Sequence, residues 1–416
     1  MKFEDYRIAP EIKRNIETLG FKRPTDIQYK AIGTILKGED VLAIAQTGTG
    51  KTAAFVIPIL NMLHERKTSS RAEGIHCVVM VPTRELAIQI TEVFETIGKH
   101  TRVKIFSVFG GVEQDPQIAR LAKGIDVLVT TPGRMFDLVS QGHIVLNNVE
   151  ILVLDEADHM LDLGFIKDIR DLMKHLPRKR QTLFFSATIN ESIKKLAYSL
   201  VTNPIRIQVS PKDPVSKNIT HSVAFISMDD KRFFLERLIR ENIESKILVF
   251  VRTKVRAERV LKALERVAIG SQTIHGDKAQ EDRFEVMQQF RKGSVKVLIA
   301  TDISARGIDI PDVDFVVNYD LPDVAENYVH RVGRTGRGMK KGLAVSFCSP
   351  EETAILAEIE QYVQKPITVL EINKKDYSET LDLTQETSGK WKATMAEIEQ
   401  AEKWMRKKSK KAGRTK

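Results

Sequence analysis

The sequence predicts an α/β chain of two tandem domains, each a mostly parallel sheet flanked by helices. Three observations carry this. Short apolar runs alternate with stretches of helical periodicity, which is how strands covered on both faces read. The alternation stops at Ser210-Pro211-Lys212-Asp213-Pro214-Val215-Ser216-Lys217, rich in turn residues, and then resumes. A length of 416 residues also exceeds what one hydrophobic core ordinarily organises. The expected layout is a first domain over 1–209, a linker over 210–217, a second domain over 218–376 and a basic tail over 377–416.

Taken in order, Ile8, Ile12, Ile16 and Leu19 recur at helical spacing, and Gly20 ends that helix. A loop from Gly20 to Gln28 leads into a second helix reaching about Lys37. The apolar run Val41-Leu42-Ala43-Ile44 then precedes Ala45-Gln46-Thr47-Gly48-Thr49-Gly50-Lys51-Thr52, so a strand, a Gly-rich turn and a helix follow one another. Glycines let successive N–H groups face a polyphosphate at a helix N-terminus, Lys51 reaches the outer phosphates, and the Thr52 hydroxyl can ligate Mg²⁺. The usual form of such a loop has glycine where Ala45 stands, so Gly50-Lys51-Thr52 carries most of the signal.

Further strands are expected at Cys77 to Val81, Ile105 to Val108, Val127 to Val129, Ile151 to Leu154 and Leu183 to Phe185. The fourth of these ends in Asp155-Glu156-Ala157-Asp158, placing carboxylates at the C-terminal edge of a buried strand, where ligands of open α/β sheets collect. Asp155 there can hold Mg²⁺ through water, and Glu156 can orient and deprotonate an attacking water. In the second half, strands are expected at Ile247 to Val251, Val295 to Ala300, Phe315 to Val317 and Leu343 to Phe347. The first of these is followed by Val251-Arg252-Thr253-Lys254 and no glycine-rich lysine loop, so one nucleotide site is expected.

Composition narrows the function classes. No apolar run approaches a membrane span, and Glu4 and Asp5 stand where a signal peptide needs basic and then apolar residues, which points to the cytoplasm. Cys77 and Cys348 each sit in an apolar run, against a disulfide framework or a metal site. Net charge is +10, and residues 390–416 hold ten basic residues against three acids, so +7 of it lies in the tail. A basic tail suits a polyanion, nucleic acid above all, though a solubilising end reads the same way. Trp391, Met395, Ile398 and Met405 can share one helix face there, suited to docking on the body or on a partner.

With these motifs in hand, the sequence resembles the DEAD-box RNA helicases of superfamily 2, over about Phe3 to Ile367. Gly20-Phe21, Pro24-Thr25 and Gln28 resemble the Q motif, with Phe3 as its upstream aromatic, and Ala45 to Thr52 resembles motif I. Pro82-Thr83-Arg84-Glu85-Leu86, Gly110-Gly111 and Thr131-Pro132-Gly133-Arg134 resemble the RNA-contacting elements of the first domain. Asp155 to Asp158 spells the family name, and Ser186-Ala187-Thr188 resembles motif III. Leu248 to Thr253 resembles motif IV, Gln280 and Arg283 the QxxR element, Thr301 to Asp309 motif V, and His330 to Arg337 motif VI.

The resemblance implies two RecA-like domains, ATP and Mg²⁺ as cofactors, and RNA as partner. It further implies ribonucleoprotein or RNA-decay partners and a monomer. By it, Gln28 and Phe21 meet adenine, Asp309 meets ribose, and Arg334 and Arg337 act as fingers on the γ-phosphate. Thr83, Arg84, Gly111, Thr131, Arg134, Gln280, Arg283 and Thr301 are the implied RNA contacts; next to glycines, such side chains approach a sugar-phosphate backbone without reading bases. Ser186, Thr188, Asp158, His330 and Arg306 are the implied coupling residues. Three readings stay open: a helicase that turns over, an ATP-gated RNA clamp, and a DNA translocase, of which the Q motif and the Asp-Glu-Ala-Asp run favour RNA.

Overall fold

The computed structural model describes residues 2–46, 48–69, 74–209, 215–216, 218–302, 313–336, 341–373 and 375–381. Within them lie fourteen strands in two sheets. The first sheet holds β1 (Val41–Ala45), β2 (Cys77–Met80), β3 (Ile105–Val108), β4 (Val127–Thr130), β5 (Ile151–Leu154), β6 (Gln181–Ser186) and β7 (Ile205–Val209). The second holds β8 (Ile219–Phe225), β9 (Ile247–Phe250), β10 (Ser271–Ile274), β11 (Val297–Ala300), β12 (Phe315–Asn318), β13 (Gly342–Cys348) and β14 (Thr368–Val369).

Spatial order is β3-β4-β2-β5-β6-β1-β7 in the first sheet and β10-β11-β9-β12-β13-β8-β14 in the second. Subtracting seven from each label of the second gives the first, so one topology is used twice. Every strand pairing is parallel, with Leu154 opposite Phe184 and Asn318 opposite Ser346 near the C-terminal edges. Alternate strand residues feed opposite layers of core. Val41, Ala43, Val79 and Val153 join one apolar cluster, while Leu42, Ile44, Val78 and Leu152 join the other. Ile247 and Val249 are likewise separated from Leu248 and Phe250. The continuous hydrophobic runs are thus the mark of strands covered by helices on both faces.

Four strands differ from expectation. β7, β10 and β14 are edge or next-to-edge strands with exposed or half-exposed positions, and β8 reads as Ile-Thr-His-Ser-Val-Ala-Phe, so none forms an apolar run. The second sheet therefore starts at β8, not at Ile247 as the sequence suggested. The loop that corresponds to the first cradle is Ile226 to Asp230, and Val251 to Lys254 corresponds to Val81 to Arg84 after β2.

At the N-terminus, helix Pro10–Thr18 buries Ile12 and Ile16, while Leu19 is exposed and Gly20 takes a positive φ of 77° that closes the helix. Phe3 is buried, 6.3 Å from the Phe21 ring. At the other end, Tyr377 lies 4.9 Å from the Phe234 ring, which docks the segment 375–381 on helix Lys231–Glu241. Both cysteines are free and buried. Among the described residues no helix is long and apolar enough to cross a membrane. Most of the linker (210–214 and 217) and the tail from 382 onward, with its tryptophan and methionine face, lie outside the described residues.

Candidate nucleotide and nucleic-acid site

The cradle is set by β1 and by helix Lys51–Ser69, whose first residue is Lys51. Gly48 and Gly50 adopt φ of 83° and 94°, which a side chain resists. The Thr49 hydroxyl donates to the Gln46 carbonyl at 2.7 Å and tightens the turn. Gln28 is bolted to the same loop: its Nε2 donates to the Gly50 carbonyl at 3.2 Å, and its Oε1 accepts from the Thr25 N–H at 3.0 Å. The residue expected to meet adenine thus also fixes the phosphate loop. Lys51 Nζ is buried and has no hydrogen-bond partner among the described residues. A buried ammonium left without a partner is costly, so a loop of positive-φ glycines around it fits a polyphosphate. Thr52 is the second helical residue and half-buried.

Across the cradle, Asp155 is the first residue past β5 and is 2% exposed. Burial pushes its carboxyl up to about 6, against the pull of Lys51. Its Oδ1 accepts from the Glu156 N–H at 2.9 Å. Glu156 sits in the left-handed region (φ 51°, ψ 47°), a strained place for a non-glycine residue. Burial alone would raise its pKa, but a hydrogen bond from His159 at 3.4 Å and the charges of His159, Lys51 and Arg334 hold it down to about 2. Among the described residues no cluster of three or more His, Cys, Asp or Glu could hold a metal. A Mg²⁺ ion here would therefore rest on Asp155, Thr52 and oxygens from nucleotide and water.

Three of the predicted coupling residues, Asp158, Ser186 and Thr188, join this edge. Asp158 Oδ2 accepts from the Ala187 N–H at 3.2 Å and from the Thr188 hydroxyl at 3.4 Å, and Thr188 N–H donates to Ser186 Oγ at 3.4 Å. The turn after β6 is thereby tied to the acidic turn after β5.

The second sheet supplies Arg334, 5% exposed, whose Nε donates to the His330 carbonyl at 3.3 Å. Its charge acts on Glu156, so a guanidinium from one half faces the acid of the other. Arg331 serves the fold instead. It forks onto Asp302 at 2.6 and 2.7 Å and donates to the Asp320 carbonyl at 2.7 Å, holding helix Ala325–Val332 against the ends of β11 and β12. Thr47, Arg306, Asp309 and Arg337 lie outside the described residues, as does the side chain of Gln280.

The expected RNA residues of the first half gather on one surface. Thr83 Oγ1 caps helix Arg84–Ile97 by accepting from the Leu86 N–H at 3.3 Å. The Arg84 guanidinium packs so closely over Gly111, whose φ is 76°, that a Cβ there would displace it. Arg134 donates to the Val112 carbonyl at 3.0 Å from the other side, and Thr131 precedes its helix, Pro132–Ser140. Burial, together with the charges of Arg283 and Arg134, lowers the pKa of Arg84. Arg283 pairs with Glu85 at 2.8 Å, a bridge between the halves with both side chains 15% exposed. Thr301 is buried just past β11.

Two residues of this geometry escape sequence reasoning. Glu85 follows Arg84 directly and reads as a local charge partner, although it serves Arg283 of the other half. His159 stands three residues after Glu156, the spacing at which helical side chains meet, and that was the available signal.

Known proteins resemble this chain in sequence and in fold. The DEAD/DEAH box helicase model matches residues 25–196, and the helicase conserved C-terminal domain model matches residues 230–339. The ATP-dependent RNA helicase RhlB of Shewanella frigidimarina is 41% identical over 377 residues, covering 90% of this chain and 87% of that protein. The DEAD-box ATP-dependent RNA helicase CshA of Bacillus cereus is 40% identical over 365 residues, covering 87% of this chain and 68% of that protein. Among solved structures, S. cerevisiae Dbp5 bound to RNA and ADP BeF3 is similar with a TM-score of 0.80 at 30% identity, over 93% of this chain and 99% of that one. The DEAD-box helicase Mss116 bound to single-stranded RNA and UDP-BeF gives 0.82 at 28% identity, over 91% and 81%. By its relatives and its two matched domains, the chain belongs to the DEAD-box ATP-dependent RNA helicases, which are RNA-stimulated ATPases.

Proposed function

We propose that this chain locally unwinds short RNA duplexes and remodels RNA or ribonucleoprotein in the cytoplasm, with ATP hydrolysis coupled to closure of domain 1–209 on domain 218–376 across linker 210–217. The observation that carries the proposal is the contact between the halves, where Arg283 of the second pairs with Glu85 of the first at 2.8 Å and Arg334 of the second comes near enough to lower the pKa of Glu156. Lys51 and the Gly48 and Gly50 turn would bind the phosphates, Gln28 and Phe21 the adenine, and Asp155 with Thr52 the Mg²⁺ that offsets phosphate charge. Arg334, joined by Arg337, would stabilise charge in phosphoryl transfer only when the halves meet, which ties hydrolysis to closure.

Glu156 in this reading orients water. With a pKa near 2 it is ionised and a weak base. Phosphate charge on Lys51 and Arg334 would relieve that depression and raise its proton affinity as the substrate settles. Thr83, Arg84, Gly111, Thr131, Arg134, Gln280, Arg283 and Thr301 would form a sequence-independent RNA track over both halves. At about 1.4 kcal/mol per stacked step, opening ten steps requires on the order of 14 kcal/mol, which favours local opening over long travel.

Glu156→Gln is the test. It should keep nucleotide binding and lose roughly 10²- to 10⁴-fold in RNA-stimulated turnover. Hydrolysis at the wild-type rate would overturn the assignment of Glu156. A short tailed RNA duplex released only with hydrolysable ATP supports the helicase over a clamp, and stable retention does the reverse.

A further inference from the structure

The second sheet repeats the nucleotide edge of the first in position but not in content. β1 is followed by a five-residue loop and then by Lys51 as the first residue of its helix; β8 is followed by a five-residue loop and then by Lys231 as the first residue of its helix. Two residues past β5 stands Glu156, and two residues past β12 stands Asp320. Thr83 and Thr253 cap the equivalent helices after β2 and β9. The two lysines differ in one respect. Among the described residues Lys51 Nζ has no hydrogen-bond partner, whereas Lys231 Nζ, fully buried, pairs with the Glu352 carboxylate, lies 4.0 Å from Asp320 and donates to the Tyr319 carbonyl at 2.8 Å.

Glu352 reaches this point from the turn after β13, the counterpart of β6. Its Oε2 accepts from Lys231 and from the Ser349 N–H at 3.1 Å, and its Oε1 accepts from the Leu321 N–H and from Arg252, each at 3.1 Å. Two backbone N–H groups, a lysine and an arginine make up the donor set that proteins offer to a phosphate. Arg256 lies 3.3 Å from Asp320, Arg252 also pairs with Asp323 at 3.0 Å, and at 27% and 35% exposure these two arginines are the part of the set that solvent reaches, so this is where an anion would enter. The loop itself, Ile226 to Asp230, has no glycine, and Tyr377 closes over it by donating to Asp230 at 2.8 Å and accepting from the Ser227 N–H at 3.2 Å.

We propose that the C-terminal edge of the second sheet is a phosphate cradle closed from within, in which the Glu352 carboxylate stands in for a phosphate oxyanion and its charge keeps polyphosphate out of the second domain. On this view the absence of a second nucleotide site depends on an occupant as well as on missing glycines. The proposal does not rest on how the first domain turns over ATP.

The test uses the full chain with Lys51→Met to silence the first cradle, and calorimetric titration with inorganic tripolyphosphate. Adding Glu352→Gln, which keeps the shape of the side chain and removes its charge, should create one saturable site about tenfold or more tighter than anything in the Lys51→Met protein. A third change, Lys231→Met, should abolish that site. A Glu352→Gln protein that melts cooperatively yet binds tripolyphosphate no tighter than its parent overturns the proposal. Should Glu352→Gln unfold the domain, tripolyphosphate must restore cooperative melting in a manner that needs Lys231, and failure of that rescue overturns it equally.

Discussion

Removing the Glu85 charge should open the molecule more than removing its partner Arg283. The pair bridges the two sheets at 2.8 Å with each side chain 15% exposed, so it lies between surface pairs, worth about 0.2–1 kcal/mol, and buried pairs, where removing one partner costs about 3–5 kcal/mol. A coupling of about 1–2 kcal/mol follows, a change of roughly 5- to 30-fold in the closure constant. The asymmetry comes from Arg84. Burial first, and then the charges of Arg283 and Arg134, disfavour its protonated form, while Glu85 favours it. Without Glu85 three guanidiniums face one another unopposed; without Arg283 two remain, still beside the carboxylate. Closure can be followed by energy transfer between dyes on the two halves, with a nonhydrolysable ATP analogue and no RNA, so that no phosphate backbone offsets the guanidiniums, for Glu85→Gln, Arg283→Gln and the double variant. The double-mutant cycle isolates the pair. Additive effects within about 0.3 kcal/mol, or a larger loss for Arg283→Gln than for Glu85→Gln, would refute the reasoning.

Two further outcomes concern the nucleotide edge. Asp155 has a folded pKa of about 6, raised from 3.8, so the native state binds more protons than the unfolded one between those values and stability from this group is lost as pH rises through about 6. Asp155→Asn should therefore stabilise the nucleotide-free protein by about 2–3 kcal/mol at pH 8, with the gain fading between pH 6 and 4, while hydrolysis is lost; equal melting temperatures at pH 8 would count against it. Gly50→Ala should weaken ATP binding more than Gly48→Ala, because a Cβ on Gly50 would lie 2.5 Å from Gln28 Nε2, whereas one on Gly48 meets nothing within 4 Å and both carry positive φ. Equal nucleotide affinities for the two variants would exclude a role for Gln28 in holding the loop.

The central strands and the acidic edge were legible because burial on both faces writes itself as uninterrupted apolar residues, as at Val41 to Ile44 and Ile151 to Leu154. β8 was not. Its Thr220, His221 and Ser222 interrupt the run although β13 and β14 pair with it, since parallel pairing is made by backbone groups that sequence does not reveal. The same blindness hid the repeat of the cradle. Lys231 looked like one lysine among many until β8 placed it at the start of the equivalent helix. Glu85 and Arg283 were legible as residues but not as a pair, because a contact between the halves leaves no local pattern.

Asp155 and Glu156 are neighbours in sequence with carboxyls displaced in opposite directions, one up to about 6 and the other down to about 2. The cause is placement. Asp155 is buried at a strand end where Lys51 offsets only part of the cost of burying its charge, so it ionises only as pH rises through about 6. Glu156, turned outward by its left-handed backbone, sees His159, Lys51 and, from the other half, Arg334. Separation of the halves would take Arg334 away and let the Glu156 carboxyl rise, so the proton affinity of the proposed water-positioning group depends on closure. Closure adds the Arg334 charge to the larger effect of His159, and phosphate charge arriving between Lys51 and Arg334 would offset part of the depression. An acid wired in this way stays a weak base in an empty closed cleft and regains strength when nucleotide fills it, which would suppress idle proton transfer without any moving lid.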